Sequence, residues 1–295
     1  MDGDAYIMTI RNLEIFIKVA DIGNMTAAAQ SLYVAQPTVS QAISELESQY
    51  GIKLFDRLSK KLYITESGKQ LLNYARHIIA LCEEMEMAMK DPRKSGIMKV
   101  GASLTIGAEL LPRLVNRFHE IHSEVRIQAV VKNTLEIESL IMKNEIDFAL
   151  VEGIVHNQSI VSEQFMDDEL VLVCGRTHPL YGSGRISLGE LIRYDFVLRE
   201  QGSGTRELFE SAMISKGEDW NICWECSDSE GIKNAAVGGI GIGVISGLLV
   251  RKELATGNLK VLIITGLDLK RKFSIIYHKN KYITDTMKEF FSKVK

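Results

Sequence analysis

The first 65 residues carry their hydrophobic side chains at the 3.6-residue spacing of amphipathic helices, interrupted by residues that favour turns. This pattern predicts three short helices, at about residues 13–22, 24–32 and 36–50. Either Asn24 or Thr26 is suited to cap the second helix, and Gly51 is suited to end the third. Two short apolar segments, 54–55 and 62–64, surround basic residues and predict a two-stranded wing with a basic tip.

Residues 66–90 continue the helical pattern, with apolar side chains that alternate by four and three positions. The repeated positions are Leu71, Ala75, Ile78, Cys82, Met85 and Met89. This spacing indicates a coiled-coil seam, so we expect the helix to hold two copies of the chain together. The pattern ends at Asp91-Pro92, and residues 94–96 are typical of a hinge.

From residue 98 onward, short apolar strands alternate with helical segments. The strands are predicted at Lys99–Ala102, Val125–Val131, Phe148–Val151, Val161–Phe165, Leu170–Cys174, Phe196–Leu198, Ile222–Cys226, Ile240–Ile245 and Phe273–Tyr277. The helices are predicted from about Gly107, from Thr134, after Gly204, near Glu230 and over Thr284–Val294. This order is typical of parallel sheets covered by helices, and its two similar halves predict two lobes with a cleft between them.

The outer face of the third predicted helix presents uncharged side chains that form hydrogen bonds, among them Gln36, Thr38, Ser40 and Gln41. The second and third helices have the spacing of a helix-turn-helix. A Gln side chain can bond adenine at two atoms, and Thr can offer its methyl group to thymine. Basic residues in the wing can bind backbone phosphates. A small helical domain that binds a protein is the alternative interpretation, because a polar helix face is often simply solvated.

The stretch NMTAAAQSLYVAQPTVSQAISELESQYGIKLFDRLSKKLYITESG resembles the N-terminal winged helix-turn-helix of the LysR-type transcriptional regulators. The long helix and the two-lobed domain extend the resemblance over essentially the whole chain. The resemblance implies that DNA is contacted at Gln36, Pro37, Thr38, Ser40, Gln41 and Arg57. Many members have Arg where this chain has Gln41, so the base preference at that position does not carry over.

Polar residues follow four predicted strands of the C-terminal half. Ligands of open α/β sheets bind beyond the carboxyl ends of strands, where helix N-termini favour anions. Helix caps alone explain any one of these residues, but their recurrence favours a site, and the resemblance implies that they line an effector cleft. The candidates are Ser103, Thr105, Thr134, Glu152, Gly202, Ser203, Gly204 and Thr205. We expect hydroxyl and N–H groups to hold a small anion without a neutralising Lys, and Arg206 to brace the loop.

The segment EQGSGTRE also resembles relatives tied to sulfur and carbon assimilation. The composition is that of an ordinary folded protein, and a net charge of −3 gives no overall basicity that would indicate a nucleic-acid partner. The lone C-x-x-C at Cys223 and Cys226 and the pair His119 and His122 are weak indications of a metal or redox site. We therefore expect no cofactor and no metal.

Two other classes of protein compete with the regulator interpretation. An enzyme or solute-binding protein built on the C-terminal lobes is disfavoured, because no nucleophile and general base converge in the sequence. The first residues also lack the basic start and apolar run of a signal peptide. A coiled-coil protein that binds a partner is disfavoured by the polar helix face and the basic wing. We expect a cytoplasmic regulator that is not an enzyme.

The predicted fold class is α/β, with an N-terminal all-α winged helix-turn-helix and a two-lobed parallel-sheet domain resembling periplasmic binding proteins. The boundaries are 1–65 for the DNA-binding domain, 66–95 for the linker helix and hinge, and 96–295 for the effector domain, whose lobe I spans about 96–165 and 268–295 and whose lobe II spans about 166–267. The expected function is sequence-specific regulation of transcription. The expected partners are double-stranded DNA with a pseudo-palindromic operator, a small anionic effector, RNA polymerase and further copies in a homodimer or homotetramer, with no membrane.

Overall fold

A computed structural model describes residues 8–58, 61–90 and 97–294. The side chains outside this description also include those of Arg57, Leu58, Lys61, Glu84, Met87, Ala88 and Lys90. The chain divides into two compact units, residues 1–95 with 280–282 and residues 96–279 with 283–295. The predicted hinge at residues 94–96 lies outside the described residues.

The N-terminal unit contains the predicted helix-turn-helix, wing and long helix. Its elements are α1 (Ile10–Ile22), α2 (Met25–Ser31), α3 (Gln36–Tyr50), β1 (Phe55–Leu58), β2 (Lys61–Ile64) and α4 (Glu66–Lys90). Asn24 rather than Thr26 caps α2, because the Asn24 side chain accepts hydrogen bonds from the N–H groups of Thr26 and Ala27. Gly51 ends α3 in the left-handed conformation, as predicted.

Small residues on α2 bring it close to α3. Ala28 and Ala29 are buried on α2, and Val39 and Leu46 are buried on α3, in one core that also contains Phe16 of α1. A short side chain at each alanine position leaves room for the neighbouring helix to approach closely. The exposed side of α3 is thereby left to its polar residues.

The predicted seam of α4 is divided between the protein's own core and solvent. Ala75 is fully buried in the core of the N-terminal unit, and Leu71 and Ile78 pack against that core. Met85 and Met89 are exposed, with relative accessibilities of 58% and 77%. Only the second half of the seam is therefore uncovered within the chain.

The C-terminal unit alternates strands and helices from residue 97 onward. Its strands are β3 (Ile97–Ala102), β4 (Arg126–Val131), β5 (Phe148–Glu152), β6 (Ile160–Gly175), β7 (Arg185–Ile186), β8 (Phe196–Arg199), β9 (Ile222–Cys226), β10 (Ile242–Ser246), β11 (Leu259–Ile264) and β12 (Lys270–His278). Its helices are α5 (Leu104–Glu109), α6 (Leu111–His119), α7 (Thr134–Met142), α8 (Leu188–Leu191), α9 (Gly204–Ser215), α10 (Ser229–Val237), α11 (Arg251–Ala255) and α12 (Asp285–Val294), with short 3₁₀ turns at Pro179–Gly182 and Gly247–Val250.

The strands form a mixed sheet in which two groups of parallel strands, as predicted, are joined by antiparallel strands. The order is β4-β3-β5-β12-β6-β10-β8-β9, and β11 also pairs with β6. β3 is parallel to β4 and β5, and β8 is parallel to β9 and β10. β6 and β12 run antiparallel to their neighbours. Helices α5, α7 and α9 therefore begin at the carboxyl ends of the parallel strands that precede them, which are β3, β4 and β8.

The two strands predicted at Val161–Phe165 and Leu170–Cys174 are one continuous strand, β6. The acidic run 167–169 interrupts the apolar pattern and suggested a break. It remains in the strand because Asp168 forms an ion pair with Arg271 of β12 at 2.7 Å and Asp167 forms one with Lys272 at 3.2 Å. The first half of β6 pairs with β12 and the second half with β10 and β11.

Three further differences concern individual elements of the C-terminal unit. The first helix begins at Leu104 and not near Gly107, and β7 and β11 lie in segments where we predicted no strand.

Separate apolar cores of the C-terminal unit lie around Phe148 and Phe290 and around Phe196 and Phe209. Among the described residues, no helix has the length and apolar character needed to cross a membrane.

Candidate DNA-reading helix and effector site

Helix α3 turns one apolar face inward and leaves the predicted DNA-contacting residues outside. Gln36, Pro37, Thr38 and Gln41 are exposed and Ser40 is half-buried. The residues buried on the opposite face are Val39, Ala42, Ile43 and Leu46. The helix begins at Gln36 with Pro37 in its first turn, but its N-cap is Ala35, whose side chain offers no cap hydrogen bond. The structure thus places the polar side chains on one accessible helix face.

The amide group of Gln41 is held by its neighbours on the helix surface. Its Nε2 donates to Glu45 Oε1 at 2.9 Å, and Glu45 Oε2 accepts from Asn12 Nδ2 at 3.0 Å. One N–H of Nε2 has a protein partner, while its second N–H and the Oε1 acceptor of Gln41 are left on the accessible face. An acceptor of this kind suits the amino group of cytosine or adenine.

The wing that follows α3 is a tight antiparallel pair of strands. Arg57 of β1 pairs with Leu62 of β2, but the Arg57 side chain, Lys60 and the Lys61 side chain lie outside the described residues. Lys53, a basic residue just before the wing, forms an ion pair with Glu47 at 2.6 Å. The side chain of Glu47 also accepts the N–H group of Leu54 at 2.9 Å, which fixes the start of the wing.

Four of the predicted effector residues form one buried hydrogen-bond cluster around Glu152. Ser103 Oγ donates to Glu152 Oε2 at 2.8 Å, and Thr105 Oγ1 donates to Glu152 Oε1 at 3.1 Å. The Glu152 N–H group donates to Ser103 Oγ at 3.1 Å, and its carbonyl accepts from Thr134 Oγ1 at 2.9 Å. All four residues are at least 97% buried. The carboxylate of Glu152 therefore takes the hydroxyl hydrogens of Ser103 and Thr105, two of the groups that we expected to hold an anion.

The other four predicted residues lie at the start of α9 and touch the first group. The Gly202 carbonyl accepts the N–H group of Leu135 at 3.2 Å. A Cβ atom at Gly204 would lie 2.3 Å from the Glu152 carbonyl oxygen, so only glycine permits this approach. Ser203 and Thr205 flank that glycine and are buried. The structure thus brings all eight predicted effector residues into one place.

A buried arginine that we did not predict reaches the same place from β12. Arg271 Nη1 donates to Thr205 Oγ1 at 2.9 Å, and Arg271 Nε donates to Asp168 Oδ2 at 2.7 Å. Asp168 Oδ1 accepts from Ser246 Oγ at 2.7 Å. The sequence contains no local signal for this contact, since Arg271 lies between Lys270 and Lys272 in a strand far from Thr205 along the chain.

A cavity of about 270 Å³ opens beside Thr134, Gly202 and Ser203. Its wall carries Glu138, which accepts the N–H groups of His156 and Asn157 at 3.3 Å. Burial raises the pKa of Glu138 above its ordinary value, and these two hydrogen bonds oppose the shift. On the same wall, Arg206 donates to Glu210 at 2.7 Å, to the Arg199 carbonyl at 3.1 Å and to Glu225. Arg206 therefore braces the loop, as expected.

The cysteine pair and the histidine pair that weakly indicated a metal or redox site each contact other groups in the structure. Cys223 Sγ contacts the carbonyls of Phe196 and Ile240, while Cys226 Sγ contacts Asp228. Burial raises the pKa of both thiols, which makes them less reactive at neutral pH. His119 bonds the Val125 carbonyl and His122 pairs with Glu289. Within the described part of the chain, no group of three or more His, Cys, Asp or Glu residues has the arrangement of a metal site.

Two protein-family models match this chain. The model described as "Bacterial regulatory helix-turn-helix protein, lysR family" matches residues 10–69, which include α1 to β2. The model described as "LysR substrate binding domain" matches residues 92–295, which include every strand of the C-terminal unit. Both matches agree with the architecture described above.

Two similar regulators match this chain over nearly their full length. The chain is 31% identical over 283 residues to YeiE of Escherichia coli K12, an uncharacterized HTH-type transcriptional regulator, and the match covers 96% of each chain. It is 32% identical over 283 residues to the HTH-type transcriptional regulator CysL of Bacillus subtilis, covering 93% of this chain and 95% of CysL.

Among solved structures, the CcmR regulatory domain of Synechocystis PCC6803 in complex with 2-PG is similar to the C-terminal part of the chain. The TM-score is 0.63 with 27% sequence identity, and the match covers 68% of this chain and 95% of that one. These matches identify a regulator rather than an enzyme. The chain belongs to the LysR family of transcription regulators, which bind DNA through a helix-turn-helix and small molecules through the C-terminal domain.

Proposed function

We propose that the protein is a cytoplasmic regulator that binds a pseudo-palindromic operator as a homodimer or homotetramer and responds to a small anionic effector. The observation that carries this proposal is the convergence of the eight predicted effector residues at the junction of β5, α7 and α9. A buried polar cluster of this kind at the carboxyl ends of strands is where α/β folds bind ligands. The domain boundaries proposed above place this junction between lobe I and lobe II.

In the proposed complex with DNA, Gln36, Ser40 and Gln41 read base edges in the major groove. Pro37 and Thr38 pack against the backbone and methyl groups, and Arg57 holds phosphate from the wing. The exposed face of α3 supports these roles, because side chains must be accessible to reach base edges. RNA polymerase is the partner through which a DNA-bound regulator of this kind would act.

A two-fold arrangement of recognition helices suits a pseudo-palindromic site. The exposed Met85 and Met89 on α4 supply an apolar stripe for a second copy of the chain. The effector arm of the proposal is supported by the CcmR structure, which contains 2-PG in a similar domain. The effector would act on DNA binding through its different affinities for two arrangements of the lobes.

The test is a gel-shift titration with DNA from upstream of the protein's own gene and with random DNA of equal length. We expect Gln36→Ala to weaken specific binding by about 1–3 kcal/mol while random DNA is bound as before. Arg57→Ala should weaken both and reduce the salt dependence. Gln49→Ala, an exposed Gln near the other end of α3, is the matched control. Equal losses on both DNAs for Gln36→Ala would contradict the assignment.

A further inference from the structure

The two halves of the effector cluster differ in how well their polar groups are satisfied. In the half around β5, the hydroxyl groups of Ser103 and Thr105 donate to the Glu152 carboxylate. A ligand anion at those hydroxyls would have to displace a carboxylate of the same charge. The structure therefore argues against an anion-binding site in this half of the cluster.

The half at the start of α9 contains buried donors without partners. Arg271 Nη2 and Ser203 Oγ have no hydrogen-bond partner among the described residues. Arg271 is 93% buried and Ser203 is 98% buried, so solvent does not satisfy these atoms either. Native proteins leave few buried polar side-chain atoms unpaired, so a buried donor without a protein partner is suited to bond a ligand, an ion or a water.

Both groups lie beside the start of one helix, α9. Ser203 is the N-cap of the 12-residue helix α9, and its side chain makes no cap hydrogen bond. Arg271 Nη1 reaches Thr205 in the first turn of the same helix, so the guanidinium lies beside the free N–H groups. Helix N-termini and guanidinium groups both favour carboxylate, sulfur and phosphorus oxyanions.

The ion pair with Asp168 leaves part of the Arg271 guanidinium able to bond a second anion. The Asp168 carboxylate bonds Nε of Arg271 and the Ser246 hydroxyl, which leaves the Nη2 group without a hydrogen-bond partner among the described residues. Arg271 can therefore keep its structural ion pair and bond a ligand at the same time. The planar fork of Arg provides separate donors for each purpose.

We propose that Arg271 is the charged anchor of the effector site, where it binds one oxyanion group of the effector together with Ser203 and the first-turn N–H groups of α9. This rests on the proposed function and deepens it by assigning the anion to the α9 side of the cluster. It also replaces the expectation of an anion held by neutral donors alone.

The experiment measures thermal stabilisation and calorimetric binding of the full chain with the sodium salts of sulfite, sulfate, thiosulfate and glycolate, against NaCl of equal ionic strength. At least one anion should stabilise the wild type and Arg126→Met, which removes an exposed cation from the start of β4. Arg271→Lys keeps the charge but removes the fork, and should weaken that anion roughly 10-fold or more. Ser203→Ala should weaken it by a smaller factor.

Gel-shift binding by the same variants separates this proposal from the regulator assignment. If the anion binds Arg271→Lys and Ser203→Ala as it binds the wild type, Arg271 is not the anchor, although DNA binding persists. An absence of stabilisation by all four anions would also overturn the anchor. If Arg271→Lys does not fold, Ser203→Ala decides, because Ser203 has no part in the Asp168 ion pair.

Discussion

His278, near the end of β12, is a buried imidazole whose protonation opposes folding. Its ring is 1% exposed, and burial, aided by the charge of Lys279, lowers its pKa from 6.5 to about 4. In the unfolded chain the same group takes up its proton near pH 6.5. The folded protein is thus favoured by neutral His278 above pH 6.5, and this contribution is lost as the pH falls towards 4.

We expect His278 to make the free energy of unfolding fall by about 3 kcal/mol between pH 6.5 and pH 4. Other titrating groups add their own dependence, so the informative quantity is the difference between wild type and His278→Gln across that range. Urea unfolding at several pH values measures it. Parallel curves for the two proteins would show that His278 titrates alike in both states, contrary to this prediction.

At the scale of residues, the sequence was enough to predict the effector-site residues that directly follow a strand. It was not enough to predict a residue that comes from another part of the chain. Ser103, Thr134 and Ser203 each sit at a strand-to-helix junction, so a local pattern was enough to select them. Arg271 comes from β12, and its contact with Thr205 depends on the sheet order β12-β6-β10. The hydrogen bond from Ser103 to Glu152 likewise could not be predicted, because it depends on β3 and β5 being neighbours in the sheet.

At the scale of elements, hydrophobic periodicity predicted most helices and strands because each follows its own local pattern. The acidic run 167–169 broke that pattern in β6, and the ion pairs that keep the strand continuous come from β12. β11 (Leu259–Ile264) was missed although it is rich in apolar residues. Its assignment depends on pairing with the second half of β6, which no local pattern reveals.

Helix α3 begins without a side-chain cap, which gives a specific prediction about its stability. Ala35 is the N-cap, with an extended backbone that suits a capping residue. Ala35→Ser supplies the missing acceptor and should raise the free energy of unfolding by about 0.5–2 kcal/mol. Ala35→Val, which adds side-chain atoms but no acceptor, is the control in the same denaturant titration. A Ser variant no more stable than the Val variant would contradict the capping explanation.

At the scale of the whole molecule, the division of the α4 seam determines how dimerisation should be tested. A charge at Ile78 would disturb the protein's own core, because that side chain packs against the buried cluster of the N-terminal unit. Met85 and Met89 are exposed in the single chain, so a charge there leaves the buried core of the N-terminal unit intact and acts on contacts made with another copy. The second half of α4 is therefore the segment that reports on assembly.

We expect the double variant Met85→Asp, Met89→Asp to sediment as a smaller species than the wild type, because four like charges would meet across the seam of a dimer. The variant Met85→Leu, Met89→Leu keeps the seam apolar and should sediment as the wild type does. Circular dichroism and the unfolding midpoint check that both variants are folded. Unchanged sedimentation of the Asp variant would exclude this segment as the interface.

The position of β12 has a consequence for how the protein is made. β12 lies between β5 and β6 in the sheet, although β6 to β11 must all be synthesised before it. Until then the strand edge of β5, with its fully buried Phe148 and Leu150, has no neighbour on that side and is open to wrong pairing. At roughly 5–20 residues per second this exposure lasts on the order of ten seconds on the ribosome. The same strand carries the proposed anchor Arg271, so the capacity to sense an effector would be among the last properties a newly made chain acquires.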